Sequence, residues 1–227
     1  RHLRIGLLDQ ARHRLQRLDM GARVDRQIDL LDRGQSRRDR AGGREQLADQ
    51  LRRSAKLGDR VATLGWNTWR HLESWYGILG IGAIYHTVNP RLFPEQISWI
   101  INHAEDRMMM TDLTFVPILE KLADRLPTIE RTVVLTDAAH MPATSLKNAV
   151  PYEEWIAEAD GDFAWKSFDE NTAAGMCYTS GTTGNPKGVL YSHRSNVLHA
   201  FMASVRDAIG ISSRDVVLPV VPLFHAN

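Results

Sequence analysis

The chain has 227 residues, 43% of them apolar, with a formal net charge of +1, which is enough for one large or two small domains with a sizeable core. Its single cysteine, Cys177, excludes a disulfide framework and fits a reducing, cytoplasmic compartment. No run of about eighteen apolar residues marks a membrane span, and no apolar stretch follows the first arginines as in a secretion signal.

The near-neutral total hides an asymmetry. Residues 1–60 hold 16 basic against 9 acidic groups, and the remainder 12 against 18. Residues 1–43 are rich in Arg, Asp, Gln and Leu and contain no Pro, Trp, Phe or Tyr. They read as an atypical arginine-rich arm, either solvated and partly helical or the text of a shifted reading frame. A basic arm opens a nucleic-acid reading. Interleaved Asp19, Asp25, Asp29, Asp32 and Asp39, and the lack of aromatics, speak against it.

Regular text begins near Gly43. Residues 44–51 form a helix with Leu47 and Leu51 on one face. Gly58 and Asp59 turn the chain into a strand over 60–66. Asn67 is placed to cap a helix over 68–80, whose inward stripe reads Leu72, Trp75, Tyr76 and Leu79. Gly77, Gly80 and Gly82 allow that helix to approach the sheet closely. A strand covers 83–88. Pro94 suits the first turn of a helix whose body spans 95–103, with Ile97, Ile100 and Ile101 inward. Strand 107–110 carries a methionine run that reads as core. A helix over 114–126, a strand over 131–136, a loop over 137–150 and a short helix from Pro151 follow. Residues 160–172 form a polar connection pinned by Phe163, Trp165 and Phe168. Then come a strand over 173–178, a strand over 188–191, a helix over 195–209 with Val197, Leu198, Phe201 and Val205 on one side, and a nearly all-apolar strand over 215–221. The β-α-β alternation predicts an α/β doubly wound, mostly parallel sheet with flanking helices.

The chemistry concentrates between the strands at 173–178 and 188–191, in Tyr178-Thr179-Ser180-Gly181-Thr182-Thr183-Gly184-Asn185-Pro186-Lys187-Gly188-Val189. Ser180, Thr182 and Thr183 supply hydroxyl donors. Gly181 and Gly184 let the backbone approach a ligand closely, and successive N–H groups in such a loop form an anion-binding nest. Lys187 adds a compact cation with three donors. The set suits a polyphosphate. A Walker A loop is excluded, because that motif needs its lysine followed by Ser or Thr and a helix, whereas Lys187 is followed by Gly188 and a strand. Cys177 lies in the apolar run before the loop and reads as a buried strand residue.

The segment Thr179 to Gly188 resembles the signature of the adenylate-forming enzymes, the AMP-binding superfamily of acyl-CoA synthetases, luciferases and peptide-synthetase adenylation domains. It matches the pattern [ST]-[ST]-G-[ST]-T-G-x-P-K-G at every fixed position. Gly58-Asp59-Arg60-Val61-Ala62 is similar to the acyl-CoA synthetase branch. So is Val221-Pro222-Leu223-Phe224-His225-Ala226-Asn227. Thr87 to Leu92 and His103 to Arg107 resemble the medium- and long-chain fatty-acid–CoA ligases in particular. The likeness covers about residues 44–227.

The resemblance implies an acid–thiol ligase. A carboxylate attacks the α-phosphorus of Mg-ATP, and the CoA thiol then displaces AMP from the acyl-adenylate. It also implies that Thr179, Ser180, Gly181, Thr182, Thr183, Gly184 and Lys187 hold the ATP phosphates. Lys187, Thr183 and His225 are the catalytic candidates, with His225 at the junction of adenylate and acyl pocket. Magnesium rides on the ATP phosphates, and no metal-ligand spacing is present in the chain. In the family the adenine-binding segment, the ribose-binding aspartate, the hinge and the lysine-bearing C-terminal domain come later than Asn227. The expectation is therefore a partial N-terminal domain over 44–227, the C-terminal domain absent, and no thioester formation by these residues alone. A non-catalytic nucleotide- or acyl-binding module that keeps the phosphate loop stays open, as does an aromatic or short-chain acid in place of a fatty acid.

Overall fold

The computed structural model describes residues 43–165, 167–179, 185–212 and 214–224. The arginine-rich arm therefore falls outside the described residues, apart from Gly43. Helix α1 spans Gly43–Ser54. Glu45 in its first turn and Arg52 and Arg53 in its last complement the helix dipole. Buried Asp49 accepts from Arg52 at 2.6 Å and from Arg53 at 2.7 Å, which fixes both arginines at the helix end.

Strand β1 (Arg60–Leu64), helix α2 (Trp69–Gly80), strand β2 (Ile84–Thr87), helix α3 (Pro94–Ala104) and strand β3 (Met108–Thr111) follow in right order for βαβ units. Next come α4 (Val116–Leu122), β4 (Arg131–Val134), β5 (Val150–Pro151), α5 (Tyr152–Ala157), β6 (Ala173–Thr179), β7 (Lys187–Ser192) and α6 (His193–Ser204). Among the described residues the seven strands form one sheet in the order β5-β4-β3-β1-β2-β6-β7. All neighbours pair parallel except β6 and β7, which pair antiparallel.

Both faces of the parallel part are covered, and the side chains alternate between them as the pleat requires. Val61, Met108, Met110 and Val133 point into one core with Leu47 and Leu51 of α1, Ile78 of α2 and Trp155 of α5. Ala62, Leu64, Met109 and Val134 point into the other with Ile97, Ile100 and Ile101 of α3 and Leu119 and Leu122 of α4. The sheet is doubly wound, as expected, and the methionine run is core.

Several local expectations are corrected. The cap of α2 is Thr68, whose hydroxyl accepts from the His71 N–H, not Asn67. The fully buried face of α2 is His71, Ser74, Gly77 and Ile78; Trp75 and Leu79 pack half-buried against the same core as expected, while Leu72 and Tyr76 are 45% and 53% exposed. An apolar count misplaces this face because its core side is partly polar. His71 is fully buried with both ring nitrogens satisfied, one by the Trp66 carbonyl at 3.0 Å and one by the Trp75 indole N–H at 3.2 Å. Gly77 meets Leu47 of α1 and Gly80 meets Trp165, so the close approaches are to a helix and to the 160–172 connection, not to the sheet.

The helix expected over 114–126 is broken. Pro117 has no N–H to donate, so α4 starts at Val116. Single 3₁₀ turns flank it at Leu113–Phe115 and Ala123–Arg125. Helix α6 ends at Ser204, and its apolar face covers nothing among the described residues, with Phe201 68% exposed. Residues 215–221 form no strand, and Val216 is 81% exposed. Pro219 interrupts that run and removes a ladder donor, and no described strand lies beside it.

Candidate functional site

The loop that carries the chemistry is the turn of a hairpin. Strands β6 and β7 pair in antiparallel register from Ala173–Ser192 to Tyr178–Gly188 and Thr179–Lys187, the last pair before the turn. The structure thus brings Thr179 and Lys187 face to face across the hairpin mouth, with a long contact of 3.5 Å from the Thr179 hydroxyl to the Lys187 carbonyl. Lys187 is exposed, and no described carboxylate pairs with it. Ser180, Gly181, Thr182, Thr183 and Gly184 lie outside the described residues, and so does His225.

The mouth lies at the carboxyl edge of the sheet. Strand β6 runs parallel to β2, so Thr179 sits at the same edge as the carboxyl ends of β1 to β4, where open α/β sheets take their ligands. The hairpin base is rigidly packed beneath it. The Tyr178 hydroxyl shares a hydrogen bond of 2.7 Å with Nδ1 of His103, and its ring meets Trp99 edge-on at 6.1 Å. Gly188 lies against that ring, and a Cβ there would stand 3.2 Å from it, a tight contact that the ring would have to yield to by a few tenths of an ångström. Burial, aided by the charge of Asp106, pushes the Tyr178 hydroxyl up to about 12, and it stays protonated at neutral pH.

One layer deeper, His86 of β2 and Asp106 share a hydrogen bond of 2.6 Å with both side chains fully buried. Burial raises the Asp106 carboxyl pKa, and His86 opposes the shift. Cys177 is buried 3.7 Å from the Tyr191 hydroxyl, as expected of a strand residue.

The switch point of the sheet, where strand order reverses between β1 and β3, is filled by the chain itself. Trp66 follows β1, donates its indole N–H to Thr114 at 2.8 Å, and packs on Phe115 and Phe224. Phe224 is only 2% exposed, so the residues leading into His225 are anchored at the same edge as the hairpin mouth. Asn67 and Trp66 escape a reading of the sequence, because one is taken as a helix cap and the other as a strand end.

The described groups at the mouth fit an anion: an ammonium with no described carboxylate partner and a hydroxyl, at the carboxyl edge of a parallel sheet. The sequence model described as AMP-binding enzyme matches residues 39–227. The chain belongs to the AMP-binding enzyme family. Over 168 residues it is 55% identical to the 3-methylmercaptopropionyl-CoA ligase of Ruegeria pomeroyi, covering 74% of this chain and 31% of that protein. It is 47% identical over 169 residues to the medium-chain-fatty-acid–CoA ligase of Ectopseudomonas oleovorans, covering 74% and 31%. Among solved structures, a putative long-chain-fatty-acid CoA ligase from Rhodopseudomonas palustris superposes with a TM-score of 0.69 at 25% identity, covering 84% of this chain and 46% of that one. The chain spans about a third of the length of the curated relatives it matches. Members of the AMP-binding family to which it is similar are named for different acids. No helix among the described residues is long and apolar enough to cross a membrane.

Proposed function

We propose that these residues hold the phosphates of ATP in an AMP-forming acyl-CoA ligase acting on a fatty or similar alkanoic acid. The observation that carries the reading is the pairing of Thr179 with Lys187 across the hairpin mouth, with no described carboxylate competing for the ammonium. Lys187 neutralises phosphate charge. The Thr179, Ser180, Thr182 and Thr183 hydroxyls and the backbone at Gly181 and Gly184 orient the phosphates. Phosphoryl chemistry depends on positioning and charge neutralisation of this kind. His225 lines the carboxylate site, so that Lys187, Thr183 and His225 form the catalytic set.

The ligase reaction is assigned to the whole protein in two steps. The acid's carboxylate forms a bond to the α-phosphorus of Mg-ATP and pyrophosphate leaves. The CoA thiol then attacks the acyl carbon and AMP leaves. The acid, ATP and CoA are its partners, in a cytoplasmic setting. The 227 residues alone are expected to bind ATP without making the thioester. The likeness to the medium-chain-fatty-acid–CoA ligase supports the acid class.

Calorimetric titration of the chain with Mg-ATP tests the reading. Binding is expected, with affinity falling roughly tenfold or more in Lys187→Ala, since a charge-assisted hydrogen bond is worth about 1.5–3 kcal/mol. Equal affinity in both proteins, or none in the parent, would defeat it. Conversion of decanoate, ATP and CoA to the thioester by this chain would refute the second expectation.

A further inference from the structure

The most connected polar side chain at the carboxyl edge is one that no motif singles out. Asn67 follows β1, is only 7% exposed, and is free of the helix it precedes because Thr68 caps α2. Its Nδ2 donates to the carbonyls of Pro219 at 3.1 Å and Val221 at 2.9 Å. Its Oδ1 accepts from the N–H of Leu223 at 2.7 Å. These opposed roles of donor and acceptor fix the amide in one orientation.

Fully extended, residues 219 and 223 would lie roughly 13 Å apart. Here three of their backbone groups converge on one amide, so the segment wraps the side chain. Two carbonyls of the expected strand, those of Pro219 and Val221, are thereby turned to Asn67. The wrap delivers Phe224 against Trp66, 6.0 Å between ring centres, with the Arg91 guanidinium 5.8 Å from the Phe224 ring. Upstream, Val216 and Val217 are exposed. Asn67 and the Trp66–Phe224 contact are thus what tie 216–224 to the sheet among the described residues.

We infer that Asn67 is a positioning residue for the acid side of the site: its amide sets the point at the carboxyl end of β1 from which the chain enters His225. The inference rests on the role proposed above for His225. It separates two functions of one sheet edge, with the hairpin holding phosphate and Asn67 holding the segment that faces the acid. A cap or a packing residue would touch both functions or neither.

Two variants test it in the 227-residue chain. Asn67→Ala removes all three hydrogen bonds. Asn67→Asp keeps the acceptor for Leu223 but sets a carboxylate against the Pro219 and Val221 carbonyls. Losing these bonds leaves backbone groups unpaired, so a modest fall in the urea midpoint is expected in both variants, and either variant suffices if the other fails to fold. The probes are Mg-ATP and decanoyl-sulfamoyladenosine, a stable mimic of an acyl-adenylate. In both variants the mimic should bind roughly tenfold more weakly, a change equivalent to about 1.4 kcal/mol, because the segment that the bonds hold is no longer fixed. ATP affinity should hold, and amide exchange at Leu223 should quicken. A parallel loss of ATP and mimic, or no loss of either, overturns the inference. So does a parent chain that binds ATP and not the mimic. A parent that binds neither defeats the proposed function first, and the inference falls with it.

Discussion

Two regions of this molecule are built to different standards. From α1 to α5 the sheet is covered on both faces, and its largest side chains, Trp155 and Tyr152 among them, are buried. From β7 to Val221 most of the described side chains are exposed. Leu190, Val197, Leu198, Phe201 and Met202 are exposed, and β7 holds the sheet only through β6. The candidate site stands on the seam, with Tyr178 packed into the closed region and Lys187 at the head of the open one. Buried core therefore lies on one side of the seam and the candidate site residue Lys187 on the other.

Mutation should break that contrast in a graded way. The largest effect is expected at Trp155, which is 1% exposed in the core shared by α1, α2 and α5. Trp155→Ala should cost about 4 kcal/mol of unfolding free energy by urea titration, from lost burial plus the cavity left behind.

Next comes acid. Burial lowers the His71 pKa from 6.5 to about 4, opposed only by its bond to the Trp66 carbonyl. The folded state holds this ring neutral, while the unfolded chain takes up a proton below 6.5. Its contribution is therefore whole above pH 6.5 and is lost as pH falls towards 4, by about 3 kcal/mol. The urea midpoint should drop across that window, and His71→Gln should flatten the drop.

Smaller still is Lys187→Ala, which should cost about 2 kcal/mol in ATP affinity and leave the urea midpoint within about 0.5 kcal/mol of the parent. At the bottom of the scale, Phe201→Ser on exposed α6 should change the chain's stability by less than about 0.5 kcal/mol. A cost near that of Trp155 would mean the open face is covered after all.

What the sequence discloses and what it hides do not follow the seam. In the closed region pattern and structure agree on α3 and β3. Ile97, Ile100 and Ile101 sit inward on α3, and Met108 to Met110 alternate between two cores, because helical and strand periodicities report burial when a sheet is covered on both faces. The placing of the glycine- and threonine-rich segment between two strands is legible, since Lys187 is followed by Gly188 and a strand and not by a helix. What fails depends on partners far along the chain. The inward face of α2 is misread because His71 and Ser74 are made buriable by hydrogen bonds that a count of apolar residues does not see. The run at 215–221 is apolar enough for a strand, yet Pro219 and the amide of Asn67 take it out of the ladder. Asn67 itself offers only the signal of a cap, a role that Thr68 takes instead, and the partners at 219–223 lie about 150 residues away.

Amide hydrogen exchange of the 227-residue chain with and without Mg-ATP addresses the central claim most directly, that the hairpin mouth is the phosphate site. ATP is expected to slow exchange at Tyr178, Gly188 and their neighbours on β6 and β7 while Met108 to Thr111 and Arg131 to Val134 keep their rates. Unchanged exchange at the hairpin under saturating ATP, or protection confined to the opposite, amino-terminal ends of β1, β3 and β4, would contradict it.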